Sequence, residues 1–192
     1  MKKTIFVWVC IILWCVMAGF AGQQEKTGSE VEIKELEPFW YAAMEFGGPF
    51  DQMEKSIQAF MGEFFKQGLA PAGPFIGVYF NDPNLVKPEE LKWDLGFPVS
   101  KEANVQPPLK KVEFKKTTAA VYLHIGPYEN TGKAYEKIFK YIEDNGYKIT
   151  WPVYDKYLNN PMQVKPEELK TEMIVPIVPV VPVVPVVPVE KK

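Results

Sequence analysis

The sequence predicts an α+β fold built from one strand-helix-strand-strand unit that occurs twice. The seven residues at positions 86–92, Val-Lys-Pro-Glu-Glu-Leu-Lys, return unchanged at positions 164–170, a shift of 78 residues. At the same shift, Gly-Pro-Phe at 48–50 becomes Gly-Pro-Tyr at 126–128. Two copies are too few, and their period is too long, for a solenoid. Residues 31–99 and 112–177 therefore predict one duplicated body with a mostly antiparallel sheet. Both helices would cover one face of the sheet and leave the other face free to form a groove.

The first copy begins with a strand and continues into an amphipathic helix. Residues 31–46 predict the strand, and the Gly-Gly-Pro at 47–49 ends it. Asp51 with Glu54 three residues later resembles a capping box. Gly68 ends the helix as a left-handed cap. The apolar residues that recur at helical spacing, and so predict one buried face, are Ile57, Phe60, Met61, Phe64 and Phe65.

A second strand, a turn and a third strand complete the copy. Residues 75–81 form a Tyr-bearing strand, Pro88 starts a short helical turn, and residues 92–99 form the last strand. A polar connector, residues 100–111, leads to the second copy. That copy predicts the same elements: a strand at 118–125, a helix with Tyr135, Ile138, Phe139 and Ile142 on one face, a strand at 153–159, a turn at Pro166 and a strand at 170–177.

The N-terminus has the layout of an export signal. Lys2 and Lys3 precede an apolar run at 4–20, and small residues follow the run. Residues 1–22 therefore predict a signal peptide or, if uncleaved, an N-terminal membrane anchor, although the run is a little short for a full span. Residues 23–30 predict a linker. The expected location is outside the bacterial cytoplasm, in the periplasm or at the cell envelope.

The C-terminal residues 178–192 form a low-complexity segment. Proline recurs every third residue from Pro176 to Pro188, with valine or isoleucine between. This period matches a polyproline II turn and excludes a helix. The segment predicts a disordered tail, with an extended spacer or docking strip as the alternative.

The composition excludes several functions. Both cysteines, Cys10 and Cys15, lie in the N-terminal segment, so the exported body has no thiol nucleophile and no disulfide. All 22 basic residues are lysine, and the sequence pI is about 5.6. Arginine provides the bidentate contacts that are typical of phosphate and guanine recognition. Nucleic acid is therefore not expected as a partner.

Several motifs resemble those of a known family. Residues 122–129, Tyr-Leu-His-Ile-Gly-Pro-Tyr-Glu, resemble the HxGPY signature of GyrI-like effector-binding domains. These are small-molecule sensing modules of AraC- and MerR-type regulators, with a SOUL-like fold, that also occur alone. The segments 157–161, 166–169 and 171–176 are similar to the closing part of that family. The resemblance spans residues 31–177 and implies non-catalytic binding of a hydrophobic, often cationic small molecule. No DNA-binding segment accompanies it, and the export signal is a departure from the sensor proteins.

The resemblance implies an acid on the last strand that balances the charge of the ligand, a role that falls on Glu172. A carboxylate beside Met173 would be desolvated if it faced inward, and a buried charge needs a partner or a proton. The alternative is that Glu172 is the outward residue of an amphipathic strand. Asp94 is the equivalent residue in the first copy and would lie across the groove or in solvent.

Aromatic side chains are the expected lining of the groove. Each could contribute apolar area and a cation–π contact of about 0.5–2 kcal/mol. Each of these residues is also compatible with the core. The candidates are Tyr79, Trp93, Tyr122 and Tyr157.

Two alternatives stay open. His124, the single histidine, is expected to be a structural group and cannot build a zinc site alone, so no metal or cofactor is expected. It could nevertheless bind haem, because haem-binding SOUL proteins share the implied fold. The scarcity of serine argues against a Ser-His-Asp triad. Some GyrI-like proteins hydrolyse reactive cyclopropane-bearing compounds, and Glu172 with Tyr122 or Tyr157 could support such acid–base chemistry.

Overall fold

The computed structural model describes residues 30–180. The predicted signal peptide or anchor, nearly all of the predicted linker and the chain from residue 181 lie outside the described residues. Within residues 30–180, no helix has the length and apolarity needed to cross a membrane.

The described residues form a sheet covered by two helices. The helices are α1 (Met53–Lys66) and α2 (Thr131–Asp144), and a 3-10 turn precedes each, at Phe50–Gln52 and Tyr128–Asn130. The strands are β1 (Glu32–Leu36), β2 (Phe39–Gly47), β3 (Phe75–Tyr79), β4 (Lys92–Val99), β5 (Lys110–Phe114), β6 (Thr117–Ile125), β7 (Tyr147–Ile149), β8 (Val153–Tyr157) and β9 (Lys170–Pro179).

The duplication is visible in the bounds of the elements. At the shift of 78 residues, β1 coincides with β5, β2 with β6, β3 with β8 and α1 with α2. The second copy therefore starts with β5 at Lys110, earlier than the predicted residue 112. The first strand of each copy pairs with the other copy, β1 with β6 and β5 with β2. This exchange joins the copies into one body.

The sheet is antiparallel throughout. Its strand order is β1-β6-β9-β8-β3-β4-β2-β5, and β7 pairs with β9. The copies meet at the centre, where β3 pairs with β8. The predicted α+β class, the antiparallel sheet and the two helices on one face are confirmed.

Each helix packs on its own half of the sheet. Phe60 and Phe64 of α1 are fully buried against Trp93 and Leu95 of β4. In the other half, Ile138 and Ile142 of α2 pack with Met173 and Val175 of β9. The prediction that Phe65 is part of the buried face is wrong, because its side chain is 56% exposed. Phe65 directly follows Phe64 and therefore lies about 100° farther round the helix.

The opposite face of the sheet is filled by side chains, which corrects the predicted position of the groove. Tyr41, Ile76, Val78 and Phe114 form one buried cluster there. A second cluster contains Ala119, Val121 and Ile174, and both clusters contact Leu36 and Tyr154. The curled sheet brings these residues together.

The last strand is longer than predicted. β9 continues through Val178 and Pro179, because β7 pairs with this end of it. Val180 then donates a backbone hydrogen bond to the Gly146 carbonyl, at 2.9 Å. The first residues of the predicted low-complexity tail are therefore part of the folded domain.

Candidate ligand-binding site

A cavity of about 1200 Å³ lies between the two helices, on the helix side of the sheet. This location follows from the duplication, since each helix covers its own half and the seam between the halves stays uncovered. The floor is made by β3, β4 and β8. The helix residues that face the cavity are Met53, Ile57 and Met61 of α1 and Thr131, Gly132, Tyr135, Glu136 and Phe139 of α2.

The centre of the floor is a row of three residues that crosses three strands. Gly77 of β3 pairs with Leu95 of β4 on one side and with Asp155 of β8 on the other. Neighbouring strands lie about 4.8 Å apart, so the row brings an acid and an aliphatic side chain to either side of a glycine. Tyr79 and Tyr157 follow two residues later on their strands and face the same way, and their hydroxyl groups are hydrogen-bonded at 2.8 Å.

An aromatic ring from each copy stands over the tyrosine of that copy. Phe50 makes an edge contact with Tyr79, with ring centroids 5.9 Å apart. Its equivalent, Tyr128, makes the same contact with Tyr157 at 5.4 Å. Both rings directly follow a Gly-Pro step, at which Gly48 or Gly126 has a positive φ. The turn therefore directs each ring toward the seam.

Asp155 is the buried acid of the cavity. Its residue is only 4% exposed, and the Tyr135 hydroxyl donates a 2.8 Å hydrogen bond to Oδ1. Burial raises the pKa of Asp155 from 3.8 to about 7, although the bond from Tyr135 opposes the shift. Within residues 30–180, Asp155 forms no ion pair with a lysine, in contrast to Asp94 and Glu172. A buried carboxylate thus faces an aromatic cavity without a counter-ion.

Two equivalent loops border the cavity, after β3 and after β8. In the second loop, Asn159 donates to the Glu168 carbonyl at 2.8 Å and accepts from the Lys170 amide at 2.9 Å. Asn81 makes the same pair of bonds in the first loop. The two copies of the seven-residue repeat therefore have the same hydrogen bonds to the loop before them. Met162 lines the cavity from the second loop and is 89% exposed, so the rim is partly apolar.

The structure divides the four predicted aromatic residues into two groups. Tyr79 and Tyr157 line the cavity. Tyr122 is buried in the core under α2, and Lys137 lies over its ring at 4.7 Å. Trp93 is fully buried under α1. Tyr122 and Trp93 therefore do not face the cavity.

The two predicted acids lie on the face of the sheet away from the helices, where the groove was predicted, so they do not line the cavity. Met173 faces α2, so strand alternation turns its neighbour Glu172 away from the cavity. Glu172 forms a 3.1 Å ion pair with Lys156. Asp94 is 1% exposed and forms a 3.0 Å ion pair with Lys110.

His124 has a structural environment. Its Nε2–H donates to the Pro127 carbonyl at 3.1 Å, which braces the turn that carries Tyr128. His124 is buried and is not among the residues that line the cavity, so the geometry does not favour haem ligation there. Among residues 30–180, no cluster of three or more His, Cys, Asp or Glu side chains could hold a metal ion.

Sequence reasoning missed three cavity residues: Tyr128, Tyr135 and Asp155. A signal for Asp155 was present, because it lies two residues before the predicted lining residue Tyr157 on the same strand and therefore on the same face. Tyr135 was assigned to the buried face of α2. It lies at the border of that face and reaches the cavity.

The family model for the GyrI-like small molecule binding domain matches residues 29–178. The chain belongs to the GyrI-like family. It therefore carries a small-molecule binding domain, as the motif resemblance predicted. No curated protein is a significant match.

Similar solved structures show the same GyrI-like fold. The C-terminal domain of EcmrR has a TM-score of 0.69 and 21% identity, over 78% of this chain and 98% of that chain. EcmrR in a DNA complex has a TM-score of 0.70 and 20% identity over 81% of this chain, but only 59% of the EcmrR chain is covered.

Two further similar structures are those of a hydrolase and of a protein with a bound small molecule. A hydrolase encoded by lin2189 from Listeria innocua has a TM-score of 0.58 and 14% identity, over 79% of this chain and 93% of that chain. SAV2435 bound to tetraphenylphosphonium has a TM-score of 0.54 and 12% identity, over 78% and 94%. At these identities, the likenesses show the fold alone.

Proposed function

We propose that the domain binds a hydrophobic, cationic small molecule in the cavity between α1 and α2, without catalysis. The observation that carries this proposal is Asp155, a buried carboxylate on the cavity floor that has no lysine partner within residues 30–180. A buried charge is costly unless it is paired. A bound cation supplies that pair and favours the ionised form of Asp155.

The aromatic residues supply the remaining affinity. Tyr79, Tyr128 and Tyr157 line the same cavity as Asp155, and a cation over an aromatic ring gains about 0.5–2 kcal/mol. The role first expected of Glu172 therefore passes to Asp155. The tetraphenylphosphonium complex of SAV2435, a protein of the same fold, is consistent with such a ligand.

Calorimetric titration with tetraphenylphosphonium tests the proposal. Asp155→Asn is expected to weaken binding about tenfold or more, which corresponds to about 1.4 kcal/mol of lost interaction. Glu172→Gln is the matched control, because it removes a carboxylate from the opposite face of the same sheet. An unchanged affinity in Asp155→Asn, or a larger loss in Glu172→Gln, would refute the role of Asp155.

Hydrolysis of a reactive small molecule is the second candidate function. A carboxyl group with a pKa of about 7, hydrogen-bonded to a tyrosine, is suited to general acid–base catalysis near neutral pH. The fold is shared with a hydrolase from Listeria innocua. Product formation from a strained electrophile, lost in Asp155→Asn but kept in Glu172→Gln, would support this function. Absence of turnover would exclude it for that substrate class.

The proposed site of action is outside the cytoplasm, with residues 1–22 as a cleaved signal or a membrane anchor. The charged and apolar pattern of that segment supports the proposal. Fractionation of cells that express the full chain, compared with a chain that lacks residues 1–22, tests it. Recovery of both proteins in the cytoplasm would contradict export.

A further inference from the structure

The two copies contribute chemically different sides to the cavity. The fold is duplicated, so each residue of the second copy has an equivalent 78 positions earlier. At three lining positions the second copy has a polar side chain where the first copy has an apolar residue, although the loop after β3 adds Asp82 to the first side. The second copy contributes Asp155, Tyr135 and Tyr128, and the first copy contributes Gly77, Ile57 and Phe50.

Gly77 is the position at which a second acid is sterically excluded. A Cβ atom at this residue would lie 2.8 Å from the Tyr79 hydroxyl oxygen and 3.1 Å from Cζ of the same ring. The phenol of Tyr79 thus occupies the space that a side chain would need, and from there it reaches the hydroxyl of Tyr157. The first copy cannot present a carboxylate opposite Asp155 without displacing this ring.

The side wall of the first copy extends the apolar surface. Met53, Ile57 and Met61 of α1 line the cavity and are only partly buried, and Phe75 continues the surface on β3. The other acids around the cavity, Asp82, Glu129 and Glu136, are at least partly exposed. The α1 residues that line the cavity include no acid, so a cationic group that faced this helix would lose water without gaining a carboxylate partner from it.

We propose that the cavity selects ligands with a single cationic end, and that Gly77, Ile57 and Phe50 set this specificity. The inference rests on the proposed function, in which Asp155 holds the cationic group. The apolar part of the ligand then lies along α1. A ligand with a cation at each end must either bury its second charge against α1 or leave part of its hydrocarbon chain in water instead of in contact with α1.

A pair of probes that differ by one trimethylammonium group tests the proposal. Decyltrimethylammonium has one cationic end, and decamethonium has a trimethylammonium group at both ends of the same ten-carbon chain. Each buried methylene contributes about fourfold in affinity, so loss of even a few contacts is measurable. The single-ended probe is expected to bind at least about tenfold more tightly. Equal affinities, or tighter binding of decamethonium, would overturn the inference.

A charge added to the α1 wall should reverse the preference. Ile57→Glu places an acid at the position equivalent to Tyr135 and is expected to strengthen decamethonium binding relative to decyltrimethylammonium. Met61→Glu provides a second test on the same wall, in case the first variant does not fold. Gln58→Glu is the matched control, because it adds the same charge to an exposed position of α1. An unchanged ratio of affinities in folded Ile57→Glu and Met61→Glu would also overturn the inference.

Asp155→Asn separates this inference from the function on which it rests. If neither probe binds the unmodified protein, or if Asp155→Asn leaves the affinity for both probes unchanged, the proposed function fails. If both probes bind the unmodified protein equally and both lose affinity in Asp155→Asn, only the single-ended specificity fails.

Discussion

The hydroxyl groups of Tyr79 and Tyr157 lie 2.8 Å apart, and the two residues are equivalent in the two copies. The hydrogen bond therefore marks the pseudo-symmetry axis of the domain, where β3 pairs with β8. It also divides the cavity floor into its two halves. The side chains next to this bond differ, with Gly77 in one copy and Asp155 in the other, so the symmetry of the fold is broken at the site.

The bond between the two tyrosines should contribute to stability. Tyr79→Phe and Tyr157→Phe each remove one hydroxyl and leave the other without this partner. Each change is expected to lower the free energy of unfolding by about 1 kcal/mol, and the double variant to lose less than the sum. Urea unfolding of the four proteins measures this coupling. Strictly additive losses would mean that the hydroxyl groups do not interact in solution.

Asp155 should make stability depend on pH. Its pKa in the folded protein is about 7, above the ordinary value of 3.8, so between these values the folded state retains a proton that the unfolded state has lost. The contribution of Asp155 to stability therefore falls as the pH rises from about 4 to about 7, and the penalty persists at higher pH.

The variant Asp155→Asn removes this penalty. As the pH rises from 4 to 8, the free energy of unfolding of Asp155→Asn is expected to increase by about 4 kcal/mol relative to that of the unmodified protein. Urea unfolding at both pH values measures the change. Glu172→Gln is the control, since Glu172 is ion-paired and partly exposed. A difference between Asp155→Asn and the unmodified protein that does not vary with pH would show that Asp155 titrates normally.

The helices, strands and turns could be predicted from the sequence because each sequence pattern occurs in both copies of the repeat. The predicted strand at 92–99 and the glycine stops at Gly68 and Gly146 agree with the structure, in which both glycines have positive φ. Pairing between distant strands could not be read in this way. The exchange of β1 and β5 between the copies depends on tertiary contacts that leave no local pattern.

The site was harder to predict than the fold, for a physical reason. Side chains on a strand alternate between two faces, so the choice of Glu172 or Asp155 depends on which face carries the helices. The sequence around Glu172 is apolar on both faces, because the curled sheet buries residues on each side of β9. Glu172 does point to the helix-free face on which the groove was predicted, and the prediction failed because the cavity lies on the helix side. On β8 the prediction of Tyr157 as a lining residue implied the direction of Asp155.

Gly77 should tolerate substitution poorly. In Gly77→Ala the new Cβ atom would lie 2.8 Å from the Tyr79 hydroxyl oxygen, so the ring must shift, which is expected to weaken its hydrogen bond to Tyr157. A loss of about 1–3 kcal/mol in the free energy of unfolding is expected. Gly62→Ala is the matched control, because no atom lies within 4 Å of its Cβ position in α1. Because alanine has a higher helix propensity than glycine, Gly62→Ala should raise the free energy of unfolding by up to about 1 kcal/mol. Equal effects at the two positions would contradict the steric explanation.

Lys110 should matter more for stability than an exposed lysine, because its partner is buried. Asp94 is 1% exposed, its Oδ2 is 3.0 Å from Lys110 Nζ, and its Oδ1 has no hydrogen-bond partner within residues 30–180. Burial raises the pKa of Asp94, and Lys110 opposes the shift. Lys110→Met leaves this carboxylate unpaired and is expected to lower the free energy of unfolding by about 1–3 kcal/mol at pH 8. The loss is smaller than for breaking a fully buried ion pair, because Lys110 is partly exposed.

The cost of Lys110→Met should shrink at acidic pH. Without the lysine, the pKa of Asp94 rises further, so the carboxyl group takes up a proton and its charge no longer needs a partner. The matched control is Lys34→Met, because the 2.8 Å pair of Lys34 with Glu32 is exposed and should contribute less than about 1 kcal/mol. Adding Asp94→Asn to Lys110→Met should restore much of the loss at pH 8. Equal losses in the two lysine variants, or no recovery in the double variant, would show that the buried charge does not limit stability.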